Sequence, residues 1–337
     1  MGLINFVIRR LVFQIFVLFG VLVITFFISH VVPGDPALLL AGPRASPEIV
    51  AKLRRDLGLD QPLHKQFVLY LSSLAKGDLG TSVLTRRPVT RDIAERFPAT
   101  FELVTFAMLI VVLVGIPLGV ASAVYKERWV DHLCRVVGIA GASTPIFWLG
   151  LFIIFLFYTR LGWLPSGGRI GTEVEPPIKI TGLYIVDSII TGNWGALKSS
   201  IEHLVLPVFV LSFASMASIL RLVRACMLEI LGQDYIRSAL AKGLPERRVI
   251  FVHGLRNALL PAVTILGVTY GELLQGAVVT ETIFAWPGMA RYAVSSMTYL
   301  DYPAIMGLTL VSAVIYTLIN LLVDILYGVI DPRVRYD

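Results

Sequence analysis

Side chains able to do chemistry are sparse in this sequence, and their settings are more informative than their number. Four carboxylates interrupt or border apolar stretches: Glu102, Glu272, Glu281 and Asp324. A carboxylate costs free energy in an apolar layer, so each is a candidate for carrying a proton, for meeting an amine, or for pairing with a neighbouring helix. Glu272 lies mid-run, where a polar path and a structural hydrogen bond are both open. Asp324 reads as a structural pair. Glu281 sits beside Thr280, Thr282 and Trp286, and its candidate roles are gating and docking of an external partner.

Other chemistry has no residues to carry it. The sequence holds no Gly-x-x-x-x-Gly-Lys-Ser/Thr phosphate loop and no His-Glu-x-x-His zinc motif. Nor does it hold a Gly-x-Ser-x-Gly nucleophile turn. Five histidines are scattered, and Cys134 and Cys226 lack metal-ligand or disulfide-framework spacing. Catalysis by this chain, ATP hydrolysis through a P-loop included, is unsupported.

The densest local signal is the basic, amphipathic string Asp234-Tyr235-Ile236-Arg237-Ser238-Ala239-Leu240-Ala241-Lys242-Gly243-Leu244-Pro245. Gly243 suits a helix C-terminus, where positive φ costs least in glycine. Pro245 suits the first turn of a following helix. The string therefore predicts helix, tight break, helix. Tyr235, Ile236, Ala239 and Leu240 give the first helix an apolar face, and Lys242, Arg247 and Arg248 add charge around the break. Two readings fit: a helix laid into the groove of another protein, or one lying on a lipid surface.

The elements that position these residues follow from composition. The chain has 337 residues, 56 % hydrophobic and only 15 % charged, where soluble domains run near ~25 % charged. A membrane-spanning helix needs about 20 mostly apolar residues. Six such stretches occur, near 11–32, 100–124, 136–157, 203–222, 258–283 and 303–330. The first is too long and too poorly followed by small residues for a cleaved signal peptide, so it reads as a retained anchor. Pro117, Pro145 and Pro207 fall inside spans, where neighbouring helices can satisfy the freed carbonyls. The cluster Gly138-Ile139-Ala140-Gly141-Ala142-Ser143 suits close helix packing. Trp148, Trp163, Trp194 and Trp286 read mainly as an interfacial belt.

The net charge of +6 then has a topological source. Of the 29 lysines and arginines, 14 fall on the side that holds both ends and the 223–257 loop, and 5 fall in the two short loops opposite. The remainder lie in segment 33–99, too long to count towards orientation. Both termini and the 223–257 loop are expected to face the cytoplasm, and a nucleic-acid partner drops out. The 33–99 segment is expected outside, as a small helical cap. Its helices run from Ser46-Pro47-Glu48 towards Gly58 and from about Leu63 to Leu74, followed by a turn at 76–82. The 158–200 segment is expected to be irregular, with a short helix near 182–191.

These residues bear a resemblance. The string 234–244, with His253-Gly254-Leu255-Arg256-Asn257-Ala258-Leu259-Leu260-Pro261, resembles the oligopeptide/dipeptide branch of ABC importer permeases. Val32-Pro33-Gly34-Asp35-Pro36, Gly77-Asp78-Leu79-Gly80-Thr81-Ser82, Thr280-Glu281-Thr282-Ile283-Phe284-x-Trp286-Pro287-Gly288 and the run from Asn320 to Val329 resemble it too. The family's Glu-Ala-Ala-x-x-x-Gly loop is matched here at Ala239 and Gly243, while Arg237 and Ser238 depart from it. The long segment after the first span resembles the B-type subunit. The resemblance implies an all-α membrane protein with six transmembrane helices of the type I ABC importer permease fold and a small extracytoplasmic helical insertion. Its parts would be an anchor (1–32), an extracytoplasmic segment (33–95), a transmembrane domain (96–330) carrying the coupling loop 223–257, and a cytoplasmic tail (331–337).

It further implies a half-transporter in a prokaryotic cell membrane, the inner membrane in a Gram-negative cell. The partners would be a C-type permease subunit, two ATPase subunits, an extracytoplasmic solute-binding protein and the lipid bilayer. The cargo would be short peptides, or, on the same architecture, glutathione, nickel chelates or oligosaccharides. No cofactor is implied. Asp234, Tyr235, Arg237, Ala239, Lys242, Gly243 and Leu244 would form the ATPase-coupling element. Glu272, Glu281 and Trp286 are the candidates for path or gate. A gradient-driven secondary transporter would instead show inverted repeats with broken helices in matching positions, and none is evident.

Overall fold

A computed structural model of the protein describes residues 3–31, 36–42, 45–56 and 58–330. The Val32–Asp35 part of the first matching motif and the 331–337 tail lie outside the described residues. Among the described residues the secondary structure is helical, save an isolated bridge between Thr81 and Pro88. Among the described residues, four helices are long and apolar enough to cross a membrane, over Ile8–Ser29, Val89–Val124, Trp194–Leu231 and Tyr302–Ile325. Two bent pairs bring the number to as many as six.

The first span belongs to α1 (Leu3–Val31). Three short helices follow: α2 (Pro36–Ala41), α3 (Pro47–Asp56) and α4 (Leu63–Ala75). The last sits on the end of α1, where Phe26 meets Phe67 at 5.0 Å and stacks on Tyr70 at 5.9 Å between ring centres. The second span is α5 (Val89–Ile110), a π-helical turn (Val111–Gly115) and α6 (Ile116–Val124). It starts 11 residues before the apolar run does, because the first turns carry charges that pair locally, such as Arg96 with Asp92 at 3.0 Å.

The third span is not straight. It comprises α7 (Trp129–Ser143), α8 (Ile146–Ile153) and a π-helical end (Ile154–Arg160), bent by 105° between α7 and α8. The residue before a proline is pushed out of helical geometry, and Thr144 is accordingly extended before Pro145. The single 136–157 span expected from hydropathy is thus two pieces. A helix α9 (Tyr184–Thr191) then leads into α10 (Trp194–Leu231), 38 residues long. At 1.5 Å per residue α10 extends about 57 Å, well beyond an apolar core of about 30 Å. The Asn193 side chain caps it by accepting from the Ala196 N–H at 3.0 Å.

Two short helices, α11 (Asp234–Ala241) and α12 (Glu246–Arg248), precede a π-helical segment (Val249–Leu255) and α13 (Arg256–Gly276). This fifth span bends by 52° near Pro261 and ends at Gly276, short of the expected Ile283. A separate α14 (Val278–Ile283) and α15 (Met289–Thr298) lead to the last span, α16 (Tyr302–Ile330).

The core is built round α10. One buried cluster joins Leu103 and Ala107 of α5 to Leu204, Val208 and Leu211 of α10, with Leu274, Ala277 and Trp286. A second joins Val120 and Ala123 of α6 to Met216, Ile219, Val223 and Met227 of α10, with Ala258 and Ala262 of α13. The small-residue cluster of α7 lets that helix approach: Gly138 faces Arg221 and Gly141 faces Ala217. The first span packs instead on α16, pinned by Gln14 Nε2 donating to the Thr317 carbonyl at 3.1 Å and by Arg10 with Asp324 at 3.0 Å.

Candidate functional site

The two regions singled out in the sequence lie at opposite ends of α10. At the Leu231 end, only Gly232 and Gln233 separate α10 from α11. It is closed by a paired turn in which the Leu244 N–H donates to the Ala239 carbonyl (3.3 Å) and the Gly243 N–H to that of Leu240 (2.9 Å). Gly243 has φ +76°, the left-handed geometry such a C-terminal motif requires. The break read from Gly243 and Pro245 therefore falls where the sequence placed it, and all seven residues of the coupling element lie on one helix and its turn.

Their exposure sorts them. Ile236 is buried and anchors the helix, while Ala239 and Leu244 are half-buried. Asp234, Arg237, Lys242 and Gly243 are exposed. Tyr235 and Leu240 are exposed as well, at 44 % and 48 %, so only part of the expected apolar face turns inward. The rest is presented outward beside basic side chains, a composition that suits a protein groove and a lipid surface alike. Asn257 Nδ2 donates to Tyr235 Oη at 3.0 Å, tying α11 to the foot of α13.

At the Trp194 end, the Thr280–Gly288 motif forms a buried clamp. Glu281 is fully buried; Oε1 accepts from Thr100 Oγ1 at 2.6 Å and Oε2 from the Arg291 N–H at 2.9 Å. The carboxylate thereby caps the first turn of α15, where free N–H groups and the helix dipole favour an anion. Thr100 Oγ1 also accepts from the Met289 N–H at 2.8 Å. Trp286, 1 % exposed, donates Nε1–H to the Ala99 carbonyl at 2.9 Å. An interfacial place for Trp286 is thus corrected: its indole fills the core between α5 and α10. Trp148, Trp163 and Trp194 are exposed, at 52 %, 68 % and 67 %.

Beside the clamp, Glu102 and Arg169 form a buried ion pair at 2.6 Å. Glu102 Oε1 accepts the Ile185 N–H at 2.9 Å, and Arg169 donates to the Gly182 carbonyl at 2.8 Å and lies over the Tyr184 ring at 3.8 Å. Asp187 holds the turn before α9, accepting from Thr181 Oγ1 and from the N–H groups of Ile180, Thr181 and Gly182. Burial opposes its ionisation, but these donors outweigh burial and hold its carboxyl below the usual range. The Gly168 N–H donates to the Phe284 carbonyl at 2.8 Å, so the 161–193 loop and the clamp form one surface.

Glu272 stands apart. It is exposed on α13 and belongs to neither network. Sequence reasoning missed the Arg169 partner of Glu102 and, at the other end of α10, the chelation of Asp131 by Arg224 at 2.7 and 2.9 Å. These partners are 67 and 93 residues apart, and the local sequence carries no signal of either.

Comparison with known proteins now defines the class. A family model described as "Binding-protein-dependent transport system inner membrane component" matches residues 115–336, and its N-terminal counterpart matches 3–104. The chain belongs to this family and is an all-α, multi-pass membrane transport subunit with the type I ABC importer permease fold. It is 51 % identical over 320 residues to the "Probable D,D-dipeptide transport system permease protein DdpB" of Escherichia coli (strain K12), covering 95 % of this chain and 94 % of that one. It is 45 % identical to the "Dipeptide transport system permease protein DppB" of Alkalihalophilus pseudofirmus, covering 97 % and 98 %. It is also 40 % identical to the "Glutathione transport system permease protein GsiC" of Shigella flexneri serotype 5b, covering 99 % and 100 %. A solved structure of the MetNI methionine ABC transporter in an inward-facing conformation aligns with TM-score 0.48 at 15 % identity, covering 69 % of this chain and 94 % of that one.

Proposed function

We propose that this chain is half of the translocation path of an ATP-driven importer of short peptides, with α11 and its Gly243 turn as the element that an ATPase subunit grips. The observation that carries this is the exposure of α11. A short helix presenting Tyr235, Arg237, Leu240 and Lys242 outward is held between two spans by Ile236 and the Asn257–Tyr235 bond. A lipid surface would suit the same face, and it is the match to the binding-protein-dependent transport family over residues 115–336 that favours a protein partner.

In this reading α11 faces the cytoplasm with both chain ends, and the clamp and the 161–193 loop face outward. The transporter would be completed by a C-type permease subunit, two ATPase subunits and an extracytoplasmic binding protein. ATP would bind one state of the ATPase pair better than the other and so shift the population of membrane conformations. Displacement of α11 would carry that preference into the spans. Glu281 and Trp286 would serve the gate by fixing the α14–α15 hairpin at the outer mouth. Glu272, exposed and outside both networks, would face the path or the second subunit.

Short peptides are the favoured cargo because dipeptide permeases align over nearly the whole chain. Glutathione is a second reading, favoured by the equally complete alignment with a glutathione permease, and it is itself a tripeptide. Purification of the tagged chain after mild detergent extraction tests the assembly. Two ATPase subunits and a second permease should co-purify. A self-sufficient homodimer that transports peptide without them would overturn the proposal.

A further inference from the structure

At the α11 end, one carboxylate joins three helical segments. Asp131, in the first turn of α7, is fully buried and is the acceptor for four donors. These are Ser122 Oγ of α6 at 2.7 Å, the Glu127 N–H of the α6–α7 turn at 3.0 Å, and Arg224 Nε and Nη2 of α10 at 2.7 and 2.9 Å. One turn earlier on α10, Arg221 donates to the Gly138 carbonyl of α7 at 2.5 Å. A two-pronged guanidinium–carboxylate pair fixes direction as well as distance. It also resists shear between the helices it joins, because sliding either one breaks both bonds together. The ends of α6, α7 and α10 are therefore one block.

On its other side α11 is attached differently. The chain passes through Pro245 and α12 into the π-helical segment Val249–Leu255, and then into the bent α13. This segment meets α10 through apolar contacts, with Gly254 against Leu231 and Met227, and α11 reaches α13 through the exposed Asn257–Tyr235 hydrogen bond at 3.0 Å, one neutral bond that pivots more readily than a two-pronged ion pair. A π-helical turn is a local departure from the regular hydrogen-bond ladder and recurs at functional sites. Apolar contacts are non-directional, so they permit rotation where the Arg224–Asp131 pair does not.

We infer that Arg224 and Asp131 are positioning residues for transport: they carry displacement of α11 into α6 and α7, the parts of the second and third spans that they join to α10, as a rigid unit, while the Val249–Leu255 segment gives way. The inference rests on the assignment of α11 as the coupling helix. It makes the two attachments of α11 unequal, one a lever and the other a hinge.

The test uses the complete transporter, with its own ATPase subunits and binding protein, in lipid vesicles. Spin labels at Ile139 of α7 and Ser218 of α10 report on the block; labels at Ser218 and Ile265 of α13 report across the hinge. In otherwise unaltered protein, ATP binding should leave the first distance unchanged and shift the second. Asp131→Asn and Arg224→Lys should each keep the assembled complex and its ATP hydrolysis, while peptide transported per ATP falls about tenfold. Lysine keeps the charge but cannot reproduce the two-pronged contact. A role confined to stability would lower assembly and leave transport per ATP in the surviving complex unchanged.

Gly243→Pro separates the inference from the reading beneath it. If that variant transports normally per ATP, α11 is not the coupling helix and both fail. If it uncouples while Asp131→Asn and Arg224→Lys keep the normal ratio, the positioning role alone is overturned. That role is overturned as well if the Ile139–Ser218 distance shifts as much as the Ser218–Ile265 distance. Should Asp131→Asn fail to assemble, Arg224→Lys and the distances in unaltered protein decide.

Discussion

The Glu281 carboxylate occupies the space that a Cβ on Gly288 would fill. The two residues are therefore one structural unit: glycine makes room, and the carboxylate uses it to reach Thr100 and the start of α15. Gly288→Ala must push Glu281 off its donors in a packed interior, at a cost of about 1–3 kcal/mol. Thermal unfolding of the purified chain should show the loss, and peptide uptake should fall with it. Unchanged unfolding in Gly288→Ala would mean that the carboxylate has another place to go.

The Glu102–Arg169 pair predicts a sharper asymmetry. Arg169→Ala leaves Glu102 buried without its counter-charge, which typically costs about 3–5 kcal/mol. The Ile185 and Gly182 contacts of the 161–193 loop should loosen together, because both belong to this pair. Faster protease cleavage within 161–193, with the spans still intact, is the expected readout.

Asp187 gives a pH dependence of fixed sign. Its carboxyl titrates below the ordinary range in the folded protein. The stabilisation it supplies is thus complete above the unfolded value of about 3.9 and is lost as pH falls through the lower folded value. Asp187→Asn should unfold more easily than the unaltered chain at neutral pH. The gap should close as the pH is taken down through the acid range, measured as the difference in unfolding midpoint.

Legibility in the sequence divides along local and distant lines. The helix at 234–241 and its Gly243 break are readable because glycine, proline and helical spacing act within a few residues of one another. The α3, α4 and α9 helices are readable for the same reason. The length of α10 is not, since its first turns are held by the Asn193 cap and by packing against α9, beyond the apolar window. The size of the bend at Pro145 is also hidden: a proline marks a break, but its angle depends on what packs on either side. Trp286 misleads because it lies just past the end of the fifth apolar run, where an interface is expected. The pairing of Asp131 with Arg224 spans 93 residues, and nothing short of the folded chain brings them together.

Glu272 is predicted to separate stability from transport. It is exposed and belongs to neither network, so Glu272→Gln should leave thermal unfolding of the isolated chain unchanged. Transport by the complete complex should fall, with its dependence on the charge of the peptide altered. An unchanged rate for acidic, neutral and basic peptides would remove Glu272 from the path.

In the proposed mechanism, α11 with its Gly243 turn transmits the ATPase cycle to the membrane helices. Proline at 243 cannot adopt the φ of +76° found there, so Gly243→Pro dismantles the turn and leaves the six apolar stretches of the sequence untouched. Peptide uptake and ATP hydrolysis should be measured together in vesicles bearing the complete transporter. The expected result is a Gly243→Pro chain that still reaches the membrane and whose complex still hydrolyses ATP, but with little peptide moved per ATP. Normal uptake per ATP in that variant would contradict this mechanism.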